Sequence, residues 1–381
     1  MTDDDHKNLA AHEIAKVFPA LATDGKISLE EYKKQHAASI ADVGAFWAKQ
    51  ATDRLTWIKP FDVTLQGDFH AGDITWFAGG QLNVCFNAVD RHVRAGKAEQ
   101  TAIVFEGDEP TDIRRITYLQ LQRKVSQIAN ALLAQGVRKG DVVTIYMPMI
   151  PELAMTMLAC ARIGAMHSVV FAGFSAEALA QRIAAASSGF LVTADIGKRG
   201  GKTIDLKGIV DTARTKLNCE DVLRAVLVWE RFYDPASDGP GYQAQPKDVR
   251  MDPLVAVQRP YCPPAVMDAE DALFLLYTSG STGQPKGLVH TTGGYALYAA
   301  FTTQQSFDLQ PGDLFACVAD CGWITGHSYV GKYHRRDCVL LFRGDCLVVV
   351  AVPVGVVPCL FSLSAVNVVV MLRDPQCTAL S

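Results

Sequence analysis

The 381-residue chain lacks three things that would each have announced a class: a Cys-x-x-Cys pair, a cluster of Lys and Arg interleaved with aromatics, and an apolar run at its start. Its ten cysteines are scattered, the closest two being Cys317 and Cys321. That excludes a zinc site or a disulfide framework, so no metal ligand is expected and the thiols read as reduced. A net charge of −4 gives no reason to expect nucleic acid or an anionic membrane surface. The opening Met-Thr-Asp-Asp-Asp-His is acidic and has no apolar core, so no secretory or transit signal is expected and a cytoplasmic location is. There is no internal repeat.

What is present alternates. Residues 1–27 are mostly polar. Ser28 and Glu31 make a capping-box pattern that opens a helix through about residue 37. A second helix carries Val43, Phe46 and Trp47, and Trp57-Ile-Lys-Pro60 ends it. Residues 75–92 read as a turn leading into an amphipathic helix, with Asn83, Asn87 and Asp90 as cap and turn residues rather than catalysts. From residue 101 strands and helices take turns. Strands are expected at 102–105, 142–146, 167–171, 190–193, 225–228 and 272–276. Between the first two, Thr117 and Gln120 cap a helix whose Leu121, Val125, Ile128 and Leu132 form one face, with Gly136 beyond its end. Further helices are expected from Glu152 to Ile163 and from Ser175 to about Ala186. Met147, Met149, Met155 and Met157 read as core. Residues 234–264, rich in Pro, Gly, Asp and Gln, read as a surface loop. The fold class is α/β, with parallel or mixed sheets, helices on both faces and a helical cap in front.

Ligands of such sheets bind in loops past the carboxyl ends of strands. Four segments stand there. The first follows the apolar run Ala272-Leu-Phe-Leu-Leu276. In Tyr277-Thr-Ser-Gly-Ser-Thr-Gly-Gln-Pro-Lys-Gly287, glycines and hydroxyls crowd around one cation. Glycine lets backbone N–H groups converge and hydroxyls add donors, which suits a loop around phosphate oxygens. It is not a Walker A loop, because Gln284-Pro285 separates Gly283 from Lys286. The second is Phe171-Ala-Gly173, on spacing alone a turn before a helix cap. The third, residues 194–202, carries Lys198, Arg199 and Lys202 on a glycine-bearing loop; it reads equally as a phosphate clamp or a solvated basic turn. The fourth, residues 319–329, sets Asp320 and Trp323 beside Gly322 and Gly326, a tight turn with a large flat side chain exposed to a cavity. His327 in it reads as a hydrogen-bonded structural residue ahead of a general base.

Taken in this order, the four strings, with His290-Thr-Thr-Gly-Gly-Tyr295 and Phe46-Trp47 through Pro60, resemble the acetyl-coenzyme A synthetases, members of the adenylate-forming ligases. The resemblance runs from about residue 28 to Val330. It implies a helical cap region at 1–92 and a partial AMP-binding (adenylation) domain at 93–330, the incomplete N-terminal domain of the family. It implies an AMP-forming acid–thiol ligase, making acetyl-CoA, AMP and diphosphate from ATP, acetate and CoA through acetyl-adenylate, with Mg2+ accompanying ATP. Thr278, Ser279, Gly280, Ser281, Thr282, Gly283 and Lys286 match the loop that holds the ATP phosphates. Phe171, Ala172, Gly173, Arg199, Gly200, Gly201 and Lys202 match positions near the nucleotide end of CoA, Lys202 standing where an arginine is common. Trp323 and Thr325 match the pantetheine tunnel. Propionate is the alternative acyl substrate, mildly disfavoured by Thr325.

After Val330 the family pattern breaks, and residues 331–381 are read as a non-family tail. No catalytic residue is identifiable, since the part of the family carrying the adenylation lysine finds no match. A shortened, inactive chain is therefore expected, and a non-catalytic product that still binds CoA or nucleotide is the reading from another class. Residues 346–372 contain no charged side chain, a length that could span a bilayer. Pro353 and Pro358 interrupt it, so non-native sequence is the leading reading, ahead of a packed alternative end and a membrane anchor.

Overall fold

The computed structural model describes residues 27–330 apart from 69, 108–111, 200, 234–238, 279–284, 310–313 and 318, together with strands at 339–343 and 369–372. Seven strands make the main sheet: β1 (Val142–Tyr146), β2 (Met166–Val169), β3 (Phe190–Ala194), β4 (Ala225–Trp229), β5 (Asp248–Arg250), β6 (Ala272–Thr278) and β7 (Lys286–Thr291). Their order across the sheet is β5-β4-β3-β1-β2-β6-β7. All neighbours are parallel except β6 and β7, which form an antiparallel hairpin. β3 and β4 are buried at every position, as strands covered on both faces must be.

The chain starts at β1, steps to one side for β2, then crosses back to the other side for β3. Right-handed crossovers in opposite directions put their helices on opposite faces. Pro151–Ile163 makes the first crossover and Ala176–Ala186 the second. Helix Tyr118–Ala134 packs against Pro151–Ile163 and buries Leu121, Val125, Ile128 and Leu132, the face read from its periodicity. Its capping box forms as expected: Thr117 Oγ1 accepts from the Gln120 amide at 3.2 Å and Gln120 Oε1 accepts from the Thr117 amide at 2.9 Å. Met147, Met155 and Met157 are core.

A second sheet, ordered 369–372, 314–317, 339–343, 101–106, 113–117, stands beside the first. Thr101–Glu106 was expected in a parallel array. It pairs parallel with Val339–Arg343 on one side and antiparallel with Ile113–Thr117 on the other. Val369–Leu372 pairs antiparallel with Leu314–Cys317. The tail thus supplies two strands among the described residues; most of the uncharged stretch 346–372 lies outside them.

Several other local readings change. Residues 196–205 form not a loop but an antiparallel ribbon in which Arg199 lies opposite Lys202. The 234–264 segment contains β5 and a helix, Met251–Ala256, whose Met251 and Val255 are buried. There the burial of two apolar residues overrides a turn-rich composition. Residues 75–92 make strands at Thr75–Ala78 and Gln81–Leu82 before a short π-helix at Phe86–Asp90. Asn83 is a cap, accepting from the Phe86 amide, but Asp90 forms a bidentate ion pair with Arg162, at 2.7 and 2.9 Å. The N-terminal helices are Leu29–Ala41 and Val43–Arg54, longer than the first expectation. The second rests its Phe46 and Trp47 on Phe301 of helix Thr292–Gln305, with ring centroids 6.2 and 5.2 Å apart. The six described cysteines are all buried.

Candidate active site

β1 lies between β2 and β3, so the segments that follow β2 and β3 flank its carboxyl end. This is the point where the strand order reverses, the place at which open α/β sheets bind ligands. Phe171, Ala172 and Gly173 lie in the turn after β2, and the ribbon bearing Arg199 and Lys202 follows β3. Tyr146, the last residue of β1, ties the end of that strand to the turn. Its hydroxyl donates toward Ala172 O at 3.0 Å and Phe174 O at 2.8 Å. Burial pushes that phenol up to about 12, which keeps the proton in place as the donor. The turn closes with the Phe174 amide donating to Phe171 O at 2.9 Å.

Across the crevice the Arg199 guanidinium sits 5.1 Å from the centre of the Phe171 ring. Trp323 completes an aromatic wall, 6.5 Å from Phe171 and 6.3 Å from Phe174. Arg182 lies over Phe174 at 4.6 Å and over Tyr277 at 5.8 Å, and burial lowers its pKa. Beneath Trp323, Asp320 Oδ1 accepts from the Gly322 amide at 2.7 Å. Burial pushes this carboxyl up to about 6, while that hydrogen bond and the nearby Arg199 oppose the shift. Two close approaches need glycine. A Cβ on Gly173 would lie 2.4 Å from the Phe171 ring, and one on Gly322 would lie 2.9 Å from the Phe171 backbone nitrogen.

Of the sequence-derived residues, Phe171, Ala172, Gly173, Arg199 and Trp323 come together here. Gly201, at φ +74°, turns the ribbon, and Lys202 pairs with Arg199 across it. Gly200, Ser279, Gly280, Ser281, Thr282 and Gly283 lie outside the described residues. Thr278 and Lys286 face each other at the base of the β6–β7 hairpin, both exposed. Lys286 is therefore a strand residue and not part of the loop proper. Because β6 runs parallel to its neighbour β2, Thr278 at the end of β6 and the Phe171 turn belong to the same edge of the sheet.

Thr325 belongs to a different cavity. It stands on helix Ile324–Val330 and lines a space of about 570 Å3 with His290, Tyr295, Tyr298 and Ser328. His327 is buried and hydrogen-bonded. The sequence reading missed Phe174 and Arg182. Phe174 adjoins the quoted Phe171-Ala-Gly173 string, whereas nothing in the spacing of its helix marks Arg182. Among the described residues, no three His, Cys, Asp or Glu side chains cluster as a metal site.

A doubly wound sheet whose switch point gathers Arg199, Phe171, Phe174 and Trp323 defines the protein as an α/β fold. The chain belongs to the AMP-binding enzyme family, whose model matches residues 89–345, past the point where the motif resemblance ends. The acetyl-coenzyme A synthetase N-terminus family matches residues 32–88. The chain is 50% identical over 338 residues to the acetyl-coenzyme A synthetase of Stutzerimonas stutzeri, covering 87% of this chain and 50% of that protein. It is 47% identical over 332 residues to that of Phycomyces blakesleeanus, with 86% and 48% covered. The chain thus spans about half the length of the curated relatives it matches. Among solved structures it resembles an acetoacetyl-CoA synthetase from Streptomyces lividans, with a TM-score of 0.68, 24% identity, and 81% of this chain and 46% of that one covered. That likeness establishes the fold.

Proposed function

We propose that this chain serves an acetate–CoA ligase and carries its CoA-nucleotide site in the crevice between Phe171 and the 196–205 ribbon. In that reaction acetate attacks the α-phosphate of ATP, giving acetyl-adenylate and diphosphate. The CoA thiol then attacks the acyl carbon and releases AMP. The single observation that carries the reading is the Arg199–Phe171 stack at the switch point: a flat ring for a base beside a guanidinium for a phosphate. Lys202 and Gly201 extend the cationic side, and Trp323 closes the other. Thr278, Lys286 and the 279–283 segment between them are proposed to meet the ATP phosphates. Their neighbour β2 would bring the two nucleotides to one edge. Mg2+ is read as accompanying the ATP substrate, as the family membership implies. No catalytic residue is assigned.

Relatives named acetyl-coenzyme A synthetase favour acetate over propionate. We read residues 1–92 as the cap region, 93–330 as the AMP-binding domain and 331–381 as a tail. No helix among the described residues is long and apolar enough to cross a membrane, and the acidic, non-apolar opening segment is what the proposed cytoplasmic setting rests on.

Calorimetric titration of CoA into the 381-residue chain tests the site. Arg199→Ala is expected to weaken binding about 10- to 100-fold, the effect of losing a charge-assisted hydrogen bond. Equal affinity in both proteins would remove Arg199 from the site.

A further inference from the structure

Arg182 stands between the aromatic wall of Phe174 and Trp323 and the β6–β7 hairpin. It lies on helix Ala176–Ala186 and is only 9% exposed. Side chains on a helix lean toward its N-terminus. Here Arg182 Nη1 donates to Ala178 O, one turn back, at 2.7 Å. Because the helix starts just after β2, that lean carries the guanidinium toward the carboxyl edge of the sheet. There it meets two rings, 4.6 Å from the centre of Phe174 and 5.8 Å from that of Tyr277. Phe174 faces Trp323. Tyr277 immediately precedes Thr278, the residue that pairs with Lys286. A Cβ on Gly287 would lie 3.0 Å from the Tyr277 ring, so this ring is held against the second strand of the hairpin.

Other deeply placed arginines carry a counter-charge within the chain. Arg162 grips Asp90 at 2.7 Å, and Arg214 grips Glu220 at 2.7 Å and Asp248 at 3.0 Å. Among the described residues, no carboxylate lies within ion-pairing reach of Arg182; its contacts are one backbone carbonyl and two ring faces. Ring faces offset only a small part of the cost of burying an unpaired guanidinium. The arrangement is therefore incomplete without an anion, and the planar fork of N–H groups matches phosphate oxygens. Cations on either side, Lys286 on the hairpin and Arg199 against Phe171, suit a group that carries more than one negative charge.

We propose that Arg182 is a phosphate-binding residue, and that its guanidinium supplies the counter-charge to a diphosphate group lying between the hairpin and the Phe174–Trp323 wall. Phe174 and Tyr277 are its positioning residues. They hold the guanidinium plane between them, so little ordering is left to be done when the anion arrives. The source of the diphosphate rests on the acetate–CoA ligase reading, in which ATP and CoA each carry one.

The test titrates inorganic diphosphate, Mg-ATP and CoA calorimetrically into the 381-residue chain and into Arg182→Met and Arg182→Lys. Arg182→Met keeps the length of the side chain and removes the charge. It is expected to weaken diphosphate binding at least about tenfold, together with whichever nucleotide supplies the group. Arg182→Lys keeps the charge without the fork and is expected to stay within about tenfold of the unmodified chain. Without ligand, Arg182→Met should melt no lower than the unmodified chain, because an unpaired buried charge has gone. A merely structural arginine would do the reverse: its loss would lower the melting temperature and leave the affinities equal, and that result overturns the proposal. So does a loss in Arg182→Lys as large as in Arg182→Met, or an unmodified chain that does not bind diphosphate. A fall for Mg-ATP alone or for CoA alone supports the proposal and names the source. If neither nucleotide binds while diphosphate binds through Arg182, the ligase reading fails and the anion site stands. If both nucleotides bind and neither responds to the variants, the proposal fails and the ligase reading stands.

Discussion

Arg199 and Phe171 follow different strands of one sheet, yet the guanidinium of one lies 5.1 Å from the ring centre of the other. They meet because β1 separates β2 from β3 in space while the chain visits β2 and β3 in succession. The stack holds a cation over the open end of β1 before any ligand arrives, which reduces the ordering cost of binding.

Arg199→Lys keeps the charge and loses both the planar fork and the stacking face. CoA affinity is expected to fall by about 3- to 10-fold, less than for Arg199→Ala, in line with a lost exposed cation–π contact of about 0.5–1 kcal/mol plus weaker phosphate geometry. Calorimetry at fixed salt reads the difference.

The two close-approach glycines should behave differently. An alanine at 173 presses on the Phe171 ring and lies 3.1 Å from Arg199 Nη1, side-chain groups that can swing aside. CoA binding is expected to weaken while the melting temperature changes little. An alanine at 322 presses on the Phe171 backbone, which cannot yield in the same way. Gly322→Ala is expected to lose both CoA binding and about 1–3 kcal/mol of stability, an overpacking cost measurable by urea unfolding.

Arg162 is almost wholly buried, and its guanidinium grips Asp90 while Nε donates to Cys262 O at 2.6 Å. Removing one partner leaves a buried charge. Asp90→Ala is expected to cost about 3–5 kcal/mol in urea unfolding. At low denaturant the folded fraction should bind CoA normally, since Asp90 belongs to the core.

Asp252 gives a pH signature. Burial pushes its carboxyl from 3.8 up to about 6, though the Glu230 amide donates to it at 2.9 Å. Its folded pKa lies above the unfolded one, so between them the folded state holds more proton than the unfolded state. This group's contribution to stability therefore falls as pH rises from about 4 to about 6 and stays low above that. Asp252→Asn keeps an acceptor and removes the titration. The variant should melt higher than the parent at pH 7 and nearly level with it at pH 4, and thermal melts at both values check it. A gap independent of pH would show that the carboxyl is not the cause.

Where one element buries one face, the sequence was readable. The Leu121–Leu132 stripe and the Thr117–Gln120 cap come from local spacing, and both form. What was not readable depends on partners far along the chain. Nothing in Thr101–Glu106 says that it pairs with 339–343, and nothing in 194–202 says that the basic segment folds back on itself. The 251–256 helix forms inside a turn-rich stretch because Met251 and Val255 find the core. At the site, Phe171, Arg199 and Trp323 were legible as strings with a family meaning. Arg182 and the His167–His327 contact were not, because only the folded sheet brings them to their neighbours.

A crystal structure of the 381-residue chain with CoA tests the central claim most directly. The account predicts the CoA nucleotide in the crevice between the Phe171–Gly173 turn and the 196–205 ribbon, with a phosphate within hydrogen-bonding reach of Arg199. A nucleotide bound elsewhere, with the Arg199–Phe171 stack undisturbed and uncovered, would contradict it.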